Sequence, residues 1–246
     1  MSAAASVLVA AAALAASADV RFREANDLAR AGDYPAAIAA YAEIAASGTE
    51  TASLYWNWAQ AASARGAQGE ALWALLRARE LDPADRAVLR DVERLRAALN
   101  LDPAEITPEP LAAAARLARR FRFDLVAVSL LALSVLAHAA LRLRPAARLP
   151  RLVASATLAL GLLPGAVAVA GTLARPTATV VRRGAPLLDS ASPTAEAVGT
   201  LREGEVVPVL EASGDWLRVE DNAGARGWAH VADVRWLDAP PRAETR

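Results

Sequence analysis

The 246-residue chain contains no cysteine and no lysine, one methionine and two histidines, and only 5% of its residues are aromatic. Without cysteine, disulfides, thiolate nucleophiles and cysteine-based metal sites are excluded. With only His138 and His230, which lie in unlike segments, imidazole catalysis and histidine ligation have little to draw on. All 27 basic residues are arginine and are balanced by 27 acidic ones. No net field therefore draws the chain to nucleic acid. The chain also lacks a P-loop, a GxGxxG turn, an HExxH pair and a plausibly placed Ser-His-Asp set. These absences predict a protein without catalytic residues, metal or cofactor.

What is present is apolar. Hydrophobic residues make up 55% of the chain, and alanine alone accounts for roughly a quarter. Residues 1–18 carry an apolar run, Val7 to Ala16, that ends in Ala16-Ser17-Ala18, a small-x-small cleavage pattern. They read as a signal peptide, although no Lys or Arg precedes the run.

Residues 19–100 repeat with a step of thirty-four. Ala25, Gly32 and Ala37 recur as Ala59, Gly66 and Ala71, and the large residue Tyr41 is matched by Leu75. Thirty-four is the tetratricopeptide period. Small residues suit the crossing of two helices, glycine suits the turn between them, and Pro83 ends the second unit because proline cannot continue a helix. The expectation is two repeats, about 19–51 and 52–85, and a capping helix over 84–99. Tyr55, Trp56 and Trp58 fall on one helix. Neighbours one and two positions apart diverge by about 100° and 200°, so at least one of Trp56 and Trp58 is a candidate partner anchor.

A linker and basic stretch, 101–123, leads into a segment over 124–174 with two charge-free runs, 125–141 and 152–173. Between them lie Arg142, Arg144, Arg148 and Arg151 and no acid. The lengths predict a transmembrane hairpin embedded in the lipid bilayer. The arginine-rich tip would lie inside, and although arginines on the other side nearly balance it, the signal-like N-terminus places both flanking modules outside the cytoplasm. His138 lies within the first run, and Gly161 and Gly165 form a GxxxG in the second.

From 178 to 238 short β-branched runs alternate with turns, predicting a small all-β barrel followed by a tail over 239–246. Along Trp216-Leu217-Arg218-Val219 the faces alternate. Leu217 and Val219 are assigned to the interior, and Trp216 and Arg218 to an outer, partner-binding face. Trp228, in the last Gly-Trp strand, is expected in the core.

The strings VGTLREGEVVPVL, GDWLRV and GARGWAHVADV resemble the bacterial SH3-like family. The order of signal, helical repeats, two close spans and SH3-like barrel is similar to aerotolerance proteins of the BatE type. The fold expectation is thus multidomain: tetratricopeptide repeats, a transmembrane helical hairpin and an SH3-like barrel. The resemblance implies a non-catalytic, inner-membrane adaptor in an aerotolerance or stress-tolerance complex, with von Willebrand factor A-type membrane proteins as partners. A second reading makes the barrel a peptidoglycan-binding module that recruits an envelope enzyme through the repeats.

Overall fold

The computed structural model describes residues 18–106, 118, 122–143, 148–172 and 175–237. Most of the signal-like segment, Arg144, most of 107–121 and the tail from 238 lie outside them. The described chain falls into two compact units. One joins the N-terminal helices to the C-terminal strands, through residues up to Ile106 and from Thr177 onward; the other spans Thr107–Pro176.

In the first unit, α1 (described over 18–30) and α2 (Tyr34–Ala46) form one helix pair, and α3 (Ala52–Ala64) and α4 (Gln68–Leu81) form the next. The two turns between paired helices adopt the same backbone. Gly32 and Gly66 have φ of +84° and +85°, which glycine adopts without the steric cost that a Cβ adds. Asp33 and Ala67, which follow them, have φ/ψ of −82°/70° and −83°/74°. The helices start where side chains can accept the first free N–H groups. Asp33 accepts from Ala36, Thr51 from Leu54, and Asp85 from Ala87 and Val88 at the head of α5 (Arg86–Ala98). Ala25, Ala37, Ala59 and Ala71 are buried at the helix crossings, Tyr41 and Leu75 fill the space beside them, and Pro83 lies in the exposed turn after α4.

The 34-residue step does not stop at α4. Val88 and Val92 of α5 are buried like Leu54 and Trp58 one step earlier, so α5 continues the series of first helices in each pair. A 3-10 turn, Pro103–Ile106, closes this region.

The strands are β1 (Thr177–Val180), β2 (Ala185–Leu188), β3 (Ala197–Leu201), β4 (Val206–Ser213), β5 (Trp216–Glu220), β6 (Arg226–His230) and β7 (Val234–Trp236). They pair antiparallel in the order β3-β2-β6-β5-β4-β1-β7, with register shifts at Leu187/Leu188 and Val209/Glu211 that bend the sheet. Val180, Leu187, Leu201, Val207, Leu217, Val219 and Ala229 fill its small interior.

In the second unit α6 (Phe123–Leu143) and α7 (Arg148–Thr172) pack on each other. The backbone at Gly161 comes so close that a Cβ there would lie 3.2 Å from Leu130 Cβ, whereas Gly165 has ordinary room. His138 turns back on its own helix, its Nδ1 2.8 Å from the Ser134 carbonyl oxygen.

One part of the fold expectation, the transmembrane hairpin, is corrected. Among the described residues no helix is long and apolar enough to cross a membrane. A run free of charge is not thereby apolar along its whole length: Ser129, Ser134 and His138 interrupt the first, and Ser155, Thr157, Gly161, Pro164 and Gly165 the second. The hairpin is thus not a transmembrane one. Arg142 lies in the last turn of α6, and Arg148 and Arg151 in the first turn of α7. The repeats and the barrel share one compact unit.

Candidate interaction surfaces

The first surface is the polar face of the paired helices. Asn26, Arg30, Tyr34, Tyr41, Asn57 and Gln60 line a groove of about 520 Å³. Asn26 Oδ1 accepts from both the Tyr41 hydroxyl (2.7 Å) and Asn57 Nδ2 (2.9 Å). Those bonds fix its amide and leave its NH₂ as the outward donor. Gln60 donates to Asp91 of α5, and Asp91 pairs with Arg94. Asp91 and Arg94 occur one 34-residue step after Asn57 and Gln60, so the polar row is repeated along with the helices.

Trp56 and Trp58 take different roles, as helical geometry demands. Trp58 is 3% exposed, stacks on Tyr55 and meets Trp73 edge-on at 5.0 Å. Trp56 is half-buried and donates from Nε1 to Asp91 (2.9 Å). It braces α3 against α5 and is not among the residues that line the groove. Burial, then a hydrogen bond to Glu50, pushes the Tyr55 hydroxyl up to about 12, so it remains a donor throughout the neutral range.

The second surface is the outer side of β5 and β6. Here the register sets Trp216 opposite His230, Arg218 opposite Trp228, and Glu220 opposite Arg226. Trp216 and His230 meet edge-on at 5.1 Å. Glu220 and Arg226 form an ion pair at 2.8 Å, and Arg218 is within 3.7 Å of Glu211 on β4. His230 Nδ1 accepts from the Ala232 N–H, which fixes the ring. Leu217, Val219 and Ala229 point inward. An aromatic pair, a cation beside an indole and an ion pair thus form a ladder facing away from the barrel interior.

Residues 184–235 match the bacterial SH3 domain family. The match begins in the turn before β2 and ends within β7, so the SH3 domain includes both ladder strands and all but the first strand of the sheet. Domains of this kind serve as protein-interaction or cell-wall-binding modules. No curated protein and no solved structure matches the chain.

One expectation about this SH3 domain is corrected. Trp228 is half-buried on the outer face, because the inward positions of β6 belong to Gly227 and Ala229. A Cβ at Gly227 would lie 2.6 Å from Leu187 Cγ, so the interior has no room for a large side chain on this strand. Alternation along β6 carries the signal: if Ala229 is inside, Trp228 is outside. Sequence reasoning also missed Arg235, whose position is described below. Among the described residues no group of three or more His, Asp and Glu is placed to hold a metal ion.

Proposed function

We propose that the chain is a non-catalytic adaptor of the cell envelope. Its SH3 domain binds through the β5–β6 ladder, and its helical repeats, read as tetratricopeptide-type, hold a second protein. The observation that carries this reading is the ladder itself. Trp216, Arg218, Trp228 and His230 project from a domain of an interaction-module family yet contribute nothing to its interior. Aromatic and arginine side chains of this kind dominate binding energy where proteins meet. The proposed placement is extracytoplasmic for both modules, in keeping with the signal-like N-terminus. By the combination of helical repeats and an SH3-like barrel, which resembles the BatE type, the partners would be von Willebrand factor A-type proteins and the role aerotolerance or stress tolerance.

The test uses the full chain, because repeats and barrel share a compact unit. Co-purification of partners with wild type, Trp216→Ala and Arg218→Ala should show capture lost while thermal unfolding stays unchanged. Equal capture by all three would reject the ladder as the binding surface. A reporter active only outside the cytoplasm, fused after Arg246, should be active.

A second reading, peptidoglycan binding, draws on the two indoles of the ladder, whose flat faces also suit stacking on sugar rings. Retention of the purified chain on cell-wall sacculi, lost with Trp216→Ala, would favour it over the protein adaptor.

A further inference from the structure

The strand segment Arg235-Trp236-Leu237 lies on α3 and α4 in the manner of a bound peptide. The Arg235 guanidinium is 5.2 Å from the Trp58 ring centre and 4.8 Å from that of Trp73. Its Nη1 is 3.1 Å from Glu70 Oε1. Glu70, itself buried, also accepts from Trp58 Nε1 and pairs with Arg65. The backbone of the segment is read as well: Trp73 Nε1 donates to the Trp236 carbonyl and Arg77 to that of Leu237, each at 2.8 Å. Leu237 is 1% exposed and belongs to the helical core together with Val206 of β4.

A second contact, from a different part of the barrel, forms at the first turn of α4. That helix has no capping side chain of its own, since Ala67 stands at its N-cap. Glu203, from the turn between β3 and β4, accepts from the Gly69 N–H at 2.7 Å. The approach leaves no room for larger residues. A Cβ at Gly69 would lie 2.6 Å from the Val181 carbonyl oxygen, and one at Gly204 would lie 2.8 Å from Leu72 and Leu101. Helical repeat arrays need a terminal element to cover the apolar face of the last unit. After α4 the chain has α5, which continues the series of first helices, and then no second helix to pair with it before Ile106.

We infer that the barrel is the terminal cap of the helical array. Arg235 in its Trp58–Trp73 cage and Glu203 on the head of α4 lock the two modules into one cooperatively folded body. The groove of the helices and the ladder of the SH3 domain are then held in fixed relation, and a ligand on either one stabilises both. This replaces two flexibly linked modules by a rigid, two-faced one. It goes beyond the adaptor reading and does not depend on which partner is bound.

Native-state hydrogen exchange on the full chain tests the lock. In the wild type the most protected amides of α3 and α4 and those of β1 and β4 should exchange with one common opening free energy. Two distinct values, with the barrel opening while the helices remain protected or the reverse, would overturn the inference whatever the variants do. Arg235→Ala should raise exchange about tenfold or more in both α4 and β1, whereas Arg235→Lys, which keeps the charge beside Glu70 but loses the planar stack, should fall between. An increase confined to β7 would again overturn it. Gly69→Ala, in the first turn of α4 where Glu203 and the Val181 carbonyl approach, should loosen the same two regions; an effect limited to that turn would count against the lock.

Discussion

The chain builds helices twice from similar material, and the two sets end up in opposite circumstances. Both 18–98 and 123–172 are rich in alanine and leucine. Yet in the first set Leu54, Trp58, Leu72, Trp73, Leu75 and Leu76 are buried, while in the second Leu125, Val128, Val135, Leu136, Leu160 and Leu163 stand exposed. The difference lies in what accompanies the apolar residues. Helices α2, α3 and α5 have capping side chains at their starts, left-handed glycines between pairs, and aromatic residues that also hydrogen-bond: Tyr41 to Asn26, Tyr55 to Glu50, Trp58 to Glu70. Helices α6 and α7 have small residues at their contact and little polar patterning outside it. Apolarity alone supplies attraction in every direction; mixed polar and aromatic positions select one face.

That contrast can be broken or sharpened experimentally. The largest effect is expected for Trp73→Ala. It empties the centre of the aromatic cluster, removes the ring beneath Arg235 and breaks the bond to the Trp236 carbonyl. Denaturant unfolding of the full chain should show a loss of about 3 to 5 kcal/mol, and a loss under about 1 kcal/mol would mean that the cluster is not the centre of the fold.

Next comes alkaline pH. Because the folded state holds the Tyr55 hydroxyl up to about 12, against 10.0 for the free group, its contribution is fully present below pH 10. It is lost as pH rises through 12, amounting to about 2 to 3 kcal/mol. Thermal unfolding followed between those pH values should show the fall, and Tyr55→Phe should reduce it.

A smaller change is expected for Asp91→Ala, which removes the acceptor shared by Trp56 Nε1 and Gln60. About 1 kcal/mol should be lost, with partner capture at the groove weakened more than stability. Smallest of all is Leu136→Ala in α6. This side chain is 66% exposed, so the purified chain should change by less than about 0.5 kcal/mol. A loss of 2 kcal/mol or more would mean that the exposed face of the hairpin is covered, and the contrast between the two helical sets would collapse.

The helical pairs were largely legible because their turn glycines and small residues recur at a fixed step, and a recurrence survives alanine-rich composition. The continuation into α5 was hidden: Asp91, Arg94, Val88 and Val92 match Asn57, Gln60, Leu54 and Trp58 in role, not in residue type. In the barrel, alternation separated Leu217 and Val219 from Trp216, but β2 begins with Ala-Pro, β3 contains a glycine and β7 has three residues. Such strands carry too little pattern to announce themselves. The expectation for Trp228 follows its place in the Gly-Trp strand that resembles the family's closing strand, and sets that resemblance above the period-two rule its neighbours obey. Arg235 gave no local signal, since its cage is assembled from residues about 160 positions away. The expectation of a membrane hairpin rests on run length and charge, and neither quantity measures how apolar a run is on average, which the serines, threonine and glycines within it lower.

The docking of the barrel on α4 has a consequence during synthesis. Trp73 finds the Trp236 carbonyl across a separation of 163 residues, and Gly69 finds Glu203 across 134. At about 5 to 20 residues per second, the ribosome needs roughly 8 to 30 s after making Trp73 before it supplies the strand that covers it. Throughout that interval Leu72, Trp73 and Leu76 lack the barrel that buries them, and the whole hairpin is made in the meantime. The nascent chain therefore carries an uncovered sticky surface for much of its translation. Release of the C-terminal strands, more than emergence of the helices, is the event that covers that surface.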